Sequence, residues 1–309
     1  MMNPSDPIAD VVGLLRPRTV LARSLYASGS WAISFEPFPH VRVGTVSRGE
    51  CWLALDGSKP QLLRAGDFFL LGNPPRYVMG SSLTAKPRAE RRLWGENDAA
   101  RIGQEAEEDV SFCSAHFSFD DPNAPLLLGI LPPLVHVGTD DSRSSLLHNL
   151  SDLLVNEMKT RAVGSALVLD HLAQVIFVHM LRAHTHQADR PKGWLGALGD
   201  ERIGAALRAM HADVARRWTL EELANIANLS RSAFAASFKS HVGRAPLDYL
   251  IQWRMSLARD ALRHDSRALS ELAFAIGYES ESAFSTAFRR VVGSSPKQFR
   301  DSARSVTRH

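Results

Sequence analysis

Few residues of this 309-residue chain are spaced for covalent chemistry. Cys51 and Cys113 both fall in expected strands and could form a redox pair across a sheet, although a buried free thiol more often serves as a small hydrophobe. His184 and His186, near a helix end, read as decoration of a solvated surface. No Ser/His/Asp set or phosphate-binding loop stands out. The chemistry that the spacing favours is non-covalent. Phe234, Gly243 and Pro246 recur as Phe284, Gly293 and Pro296, each fifty positions on. Repetition of this kind is a fold-level signal that precedes any single residue.

The repeated segments are LEELANIANLSRSAFAASFKSHVGRAP, 220–246, and LSELAFAIGYESESAFSTAFRRVVGSSP, 269–296. Each reads helix, turn, helix. Thr219, with Glu222 three residues on, has the spacing of a capping box. Ala224 lets two helices approach closely. Asn228 and Gly277 occupy turn positions that tolerate left-handed backbone, and Ser230 and Ser280 are N-cap candidates for the second helices. Phe234 with Phe238, and Phe284 with Phe288, lie four apart and bury one stripe. Between the copies, LDYLIQWRMSLARDALRHD reads as a helix of roughly seventeen residues, a rod of about 25 Å. Such a rod can hold two recognition helices in successive major grooves, roughly 34 Å apart along a duplex.

The doubled helix-turn-helix, the string YLIQWRMSLARDAL and the closing GYESESAFSTAFRRVVGSSPKQFR resemble the AraC/XylS family of bacterial transcription regulators over about residues 200–304. The resemblance implies a double-stranded DNA partner, a bacterial cytoplasm and RNA polymerase as a further partner. It places Arg231, Ser232, Ala235 and Ala236 of the first recognition helix toward base edges, with Lys239 behind. In the second it places Glu281, Ser282, Ser285 and Thr286 toward bases, and Arg289, Arg290 and Lys297 near the phosphate backbone. Four of these positions, Ala235, Ala236, Ser285 and Thr286, are small where the family often carries Arg or Gln. Bidentate base readout needs Arg, Lys, Asn or Gln, so Arg231 is the residue equipped for it, and DNA shape is expected to carry part of the specificity.

Charge agrees with this division. From residue 201 onward 17 Lys and Arg face 11 Asp and Glu, a balance of +6, against 19 and 22, a balance of −3, in the first 200 residues. A basic third on a mildly acidic body suits phosphate binding. The composition, 45% hydrophobic and 22% charged, is that of a soluble globular protein with two domains. No stretch is expected to reach the length of a membrane span. The N-terminus, with Asp6 and Asp10 and no basic run before an apolar core, does not read as a signal peptide.

Residues 19–119 have short apolar or alternating segments separated by Gly, Pro and Asp, the pattern of antiparallel strands in a sandwich or barrel. The run SRGECWLALDGSKPQLLRAGDFFLLGNPPRYVM resembles the cupin-like sensor domains of some AraC-type regulators. The fold expected is therefore α+β in two domains: a cupin-like antiparallel β-barrel with a helical dimerisation segment, then an all-α domain of two helix-turn-helix units joined by a linker helix. The expected boundaries are 1–186 for sensing and dimerisation, with helices at about 144–186, then a linker at 187–200 and the DNA-binding domain at 201–309. Where metal-binding cupins carry their paired and later His, this chain aligns Arg42, Gly44 and Tyr77, so neither a metal nor another cofactor is expected. A vacant barrel centre still suits a small organic effector. Candidate lining residues are Trp31, His40, Arg42, Trp52, Tyr77 and His116.

Leucine-rich stripes at 144–182 carry more apolar surface than one contact would bury, which points to a symmetric homodimer. The leading function is a ligand-responsive transcription regulator. A metal-dependent cupin enzyme is opposed by the missing His ligands, and a constitutive DNA-binding protein with a purely dimerising barrel is the third reading.

Overall fold

The computed structural model describes residues 6–15, 18–38, 40–93, 99–103, 108–118, 131–139, 144–160, 162–185 and 193–306. They fall into two compact units. The first holds β1 (Arg18–Ala27), β2 (Ala32–Phe35), β3 (Val41–Arg48), β4 (Glu50–Leu55), β5 (Gln61–Arg64), β6 (Phe68–Gly72), β7 (Tyr77–Gly80), β8 (Arg88–Ala89), β9 (Ala99–Ile102), β10 (Val110–Ser118) and β11 (Val135–Val137), followed by α2 (Ser144–Thr160) and α3 (Ser165–Thr185). A six-stranded sheet runs β11-β6-β3-β10-β1-β9 and a five-stranded sheet β5-β4-β7-β2-β8.

Alternation along β4 sends Cys51, Leu53 and Leu55 inward and leaves Trp52 and Ala54 on the other face. Between the sheets lies a core that includes Leu25, Phe35, Val46, Leu53, Phe69, Leu71 and Met79. Buried residues run without a break through β6 because its outer face is covered as well: helix residues Leu154, Ala173 and Ile176 come up against Val43, Phe68 and Ala115. Two features differ from the expected closed antiparallel barrel. Among the described residues no ladder joins the two sheets, and the edge pairs β1–β9 and β2–β8 are parallel. The cysteines are not cross-strand neighbours either. Cys51 lies in the five-stranded sheet facing the core, whereas Cys113 lies in the six-stranded sheet with its Sγ 3.8 Å from Met158 Sδ. Burial, the leading cause in both, pushes the Cys51 thiol up to about 12 and Cys113 up to about 11, which leaves both as small hydrophobes.

On α3 the buried residues include Ala173, Ile176, Phe177, Met180 and Leu181, and His184 is buried too, not solvated as its sequence neighbourhood suggested. Leu167, Val168 and Val175 remain exposed, as do Leu146 and Leu153 on α2. Apolar residues nearly all round make α3 long and apolar enough to cross a membrane by length and composition, contrary to the sequence expectation. Phe117 against Phe177, ring centres 5.4 Å apart, instead ties it to the sheet.

The second unit contains α4 (Trp194–Gly199), α5 (Glu201–Ala212), α6 (Leu220–Ile226), α7 (Arg231–Val242), α8 (Pro246–His264), α9 (Leu269–Ala275), α10 (Glu281–Val292) and α11 (Pro296–Val306). It also holds α1 (Pro7–Leu15), which precedes the strands within the expected 1–186 domain. Ile8, Val11 and Leu14 of α1 are buried. Asp10 Oδ2 meets His211 Nδ1 at 2.9 Å, and His211 Nε2 lies 2.7 Å from the Tyr249 hydroxyl, which also accepts from Trp194 Nε1 at 2.6 Å. Trp194, buried and with a partner for its N–H, opens a helix at 194–199, a segment expected as linker. Residues 187–192 of that expected linker lie outside the described residues.

Candidate functional site

Each helix-turn-helix copy is built as its residues dictate. Thr219 Oγ1 accepts from the Glu222 amide at 3.1 Å while Glu222 Oε2 accepts from the Thr219 amide at 2.8 Å, which closes the capping box. Hydrogen bonds to that carboxylate, led by the one from Arg216, hold Glu222 down at about 2. Asn228 and Gly277 take the left-handed turn at φ 51° and 83°. Ser230 and Ser280 cap α7 and α10 by accepting from Ala233 and Ala283, and Gly243 and Gly293 end both helices in the left-handed region. Phe234, Phe238, Phe284 and Phe288 are fully buried. From 231 to 240 and from 281 to 290 exposure runs residue for residue in the same order, so the two helices turn equivalent faces outward.

On those faces Arg231, Ser232, Ala236 and Lys239 are exposed and Ala235 is half-buried. In the second copy Glu281, Ser282, Thr286, Arg289 and Arg290 are exposed, Ser285 is half-buried, and Lys297 is exposed on α11. The structure thus gathers the first five on one helix and six of the remaining seven on the other. Between them runs α8, nineteen residues and so about 28 Å long.

Arg254 on α8 was not singled out by sequence, because it reads as one more polar residue of an amphipathic helix. It is buried, and it donates from Nε to the Val214 carbonyl at 2.9 Å and from Nη2 to the Arg216 carbonyl at 2.8 Å, with Nη1 3.5 Å from the Gly277 carbonyl. A Cβ on Gly277 would come within 2.3 Å of the Ala215 carbonyl oxygen and 2.6 Å of Arg254 Nη2. The segment before the first copy therefore seats directly against the turn of the second. An ion pair between exposed Arg217 and Glu279 at 2.6 Å lies in the same region. Fixing two reading helices on one frame is the arrangement that engages two adjacent grooves of a duplex.

The sandwich unit holds a cavity of about 630 Å³. Of the six expected lining residues, His40, Arg42 and His116 line it. Tyr77 sits behind them, fully buried, its hydroxyl accepting from Arg42 Nη1. Burial is the main cause that pushes this phenol up. Trp31 is a core residue stacked on Phe112 at 6.3 Å, and Trp52 lies on the face of β4 turned away from the core, so neither lines the cavity. Arg42 points inward: its guanidinium lies 4.5 Å from the Phe35 ring centre and 5.3 Å from that of Phe38, and Nη2 meets Glu90 Oε1 at 2.9 Å. Burial first, then the charges of Arg42, Arg23 and His40, push His116 down to about 2, so it is neutral at ordinary pH. A side chain at Gly44 would collide with the Phe69 ring at 2.4 Å, so the position aligned with a metal-binding His has no room for one. Arg23, Phe38 and Glu90 also line the cavity. Sequence gave no sign of them, because they come from three separate strands and turns.

Residues 6–186 match the family described as Cupin, and residues 223–302 match the one described as Helix-turn-helix domain. An AraC-like transcription regulator of Streptomyces antibioticus is 39% identical over 299 residues, spanning 96% of this chain and 98% of that protein. The HTH-type transcriptional regulator AlkR of Acinetobacter baylyi is 34% identical over 279 residues, 88% of this chain and 91% of its own. Among solved structures, the DNA-binding domain of AdpA in complex with a target DNA is 30% identical with a TM-score of 0.33, covering 34% of this chain and 96% of that one.

Proposed function

The chain belongs to the AraC-like transcription regulators that join a cupin domain to a helix-turn-helix domain, and from that premise we propose that it is a ligand-responsive member. It regulates transcription by binding double-stranded DNA. In our reading the exposed faces of α7 and α10, with Lys297, make the DNA contacts, and a small organic effector occupies the cavity of the sandwich unit. The observation that carries the effector reading is a cavity of ligand size, about 630 Å³, lined by the buried Arg42 and the half-buried His40 and His116. The exposed apolar residues Leu146, Leu153, Leu167, Val168 and Val175 on α2 and α3 support a homodimer through these helices. RNA polymerase, met on cytoplasmic DNA, completes the set of partners. In this reading the site binds without catalysing a reaction, and what changes is the presentation of the DNA-reading unit.

The test is a melting-temperature screen of the full-length protein against a library of small organic molecules, followed by DNA-binding titrations with the hits. An effector at about a hundred times its Kd should stabilise the protein by about 2.7 kcal/mol and alter operator affinity. A library without a single stabilising molecule, or hits that stabilise without moving DNA affinity, would count against ligand control. Sedimentation of the same protein at micromolar concentration should give a dimer that Leu153→Glu dissociates, and a monomeric wild type would refute the assembly.

A further inference from the structure

Among the described residues two carboxylates line the cavity, the largely exposed Glu36 and Glu90, and the second already sits on its arginines. Glu90 Oε1 lies 2.9 Å from Arg42 Nη2 and 3.7 Å from Arg23 Nη1, so two guanidinium groups converge on a single oxygen and the trio keeps an excess positive charge. Three further nitrogens on the cavity wall, Arg42 Nε, His40 Nδ1 and His116 Nε2, are buried and have no hydrogen-bond partner among the described residues. Buried polar atoms are normally paired, and leaving them unpaired is costly. Beside them the Phe38 ring stacks on His116 at 5.9 Å with an interplanar angle of 5°, which supplies an apolar wall.

The backbone that carries Glu90 is lightly anchored. It opens a three-residue 3-10 turn, Glu90–Arg92, directly after the two-residue strand β8. Among the described residues that strand lies at the edge of its sheet and pairs with β2 at two positions, Ile33 with Arg88 and Ser34 with Ala89. Resting on the ligand reading above, we propose that Glu90 is a built-in stand-in for the carboxylate of an apolar acid: such an acid, entering the cavity, takes Glu90's place on Arg42 and Arg23 and releases the turn that carries it. Exchanging one carboxylate for another leaves the buried charge unchanged, so the swap avoids the desolvation cost of adding or stranding a charge. The planar guanidinium fork suits either carboxylate. A free acid brings two oxygens, enough to engage both arginines and to reach the unpartnered Nε or a ring nitrogen as well. Its apolar body would rest on Phe38. An alcohol of the same shape could fill the space but could not replace Glu90.

The experiment uses the full-length protein with hexanoate, octanoate and phenylacetate, each beside its alcohol, in wild type and Glu90→Gln. The acids and not the alcohols should stabilise the wild type. Glu90→Gln should bind the acids about tenfold more tightly or better, because an occupied site reduces apparent affinity by the fraction that is free. In the wild type, hydrogen exchange across residues 88–92 should accelerate with acid and stay unchanged with alcohol, a readout that does not depend on the variant folding. Acids that bind without faster exchange at 88–92 and without tighter binding by Glu90→Gln would overturn the stand-in and leave the cavity a ligand site. Alcohols that bind where acids do not would overturn the acid class alone. If no acid or alcohol binds either protein, the inference fails, and if the broader library fails as well, the ligand reading falls with it.

Discussion

The two helix-turn-helix copies share a scaffold and differ in what they show to solvent. Buried phenylalanines, serine caps and glycine stops recur in register, and exposure along the two second helices is the same position by position. Yet α7 begins with Arg231 and α10 with Glu281. The first copy has a capping box at Thr219, whereas Ala268 at the same place gives α9 no side-chain cap. The first turn is closed by Asn228 and the second by Gly277, packed against the Ala215 carbonyl. The copies thus share their buried phenylalanines, serine caps and glycine stops and differ in the first cap, the turn and the outward face, so the two halves of the proposed DNA site should differ.

The largest effects should fall on the shared scaffold. Phe234→Ala and Phe284→Ala should each cost about 3–5 kcal/mol in denaturant unfolding, and a much smaller loss in one copy would break the equivalence. The turns sharpen the comparison next. Gly277→Ala combines left-handed strain with a backbone collision and should cost more than about 2 kcal/mol, whereas Asn228→Ala should cost about 1–2 kcal/mol and Asn228→Gly little. Equal costs for the two alanine variants would deny the Gly277 packing its importance.

At the reading faces, Arg231→Ala should lose about 1–3 kcal/mol of operator binding and relax preference at one base position. Arg290→Ala should weaken all sequences alike and lower the salt slope by about one. Glu281→Ala should leave affinity unchanged or raise it, because it removes a negative charge beside phosphates. A loss comparable to that of Arg231→Ala would show that the two copies read DNA alike. The caps give the smallest effects. Thr219→Ala should cost about 1 kcal/mol, with no counterpart at Ala268. Acid titration separates the copies too. Glu222 is held down at about 2 from an ordinary value near 4.5. Its contribution is complete above 4.5 and is lost as pH falls from there toward 2. Glu222→Gln should flatten that part of the stability curve, and an unchanged acid slope would contradict the capping geometry.

The C-terminal unit was legible because its signals are local: caps, a left-handed turn residue and a phenylalanine pair all lie within twenty-five residues of one another. Arg254 escaped because its carbonyl partners, at 214, 216 and 277, come together only in the fold. The sandwich was legible as strands but not as a site. Trp31 and Trp52 looked like ligand contacts by residue type, and only strand register sends one into the core and the other to the opposite face. Arg42 was readable as a candidate, its inward direction was not, and Glu90 gave no signal because its partner lies forty-eight residues away. The helix at 7–15 likewise needed His211, two hundred and one residues on, to reveal where it packs.

The most direct test of two unlike reading helices on one rigid frame is hydroxyl-radical footprinting of the full-length protein on fragments that it selects from genomic DNA. Each DNA-binding unit should protect two blocks on one face of the duplex, centred about 10 base pairs apart, with Arg231→Ala thinning one block and Arg290→Ala the other. A single block per unit, or two blocks half a turn out of phase, would contradict it.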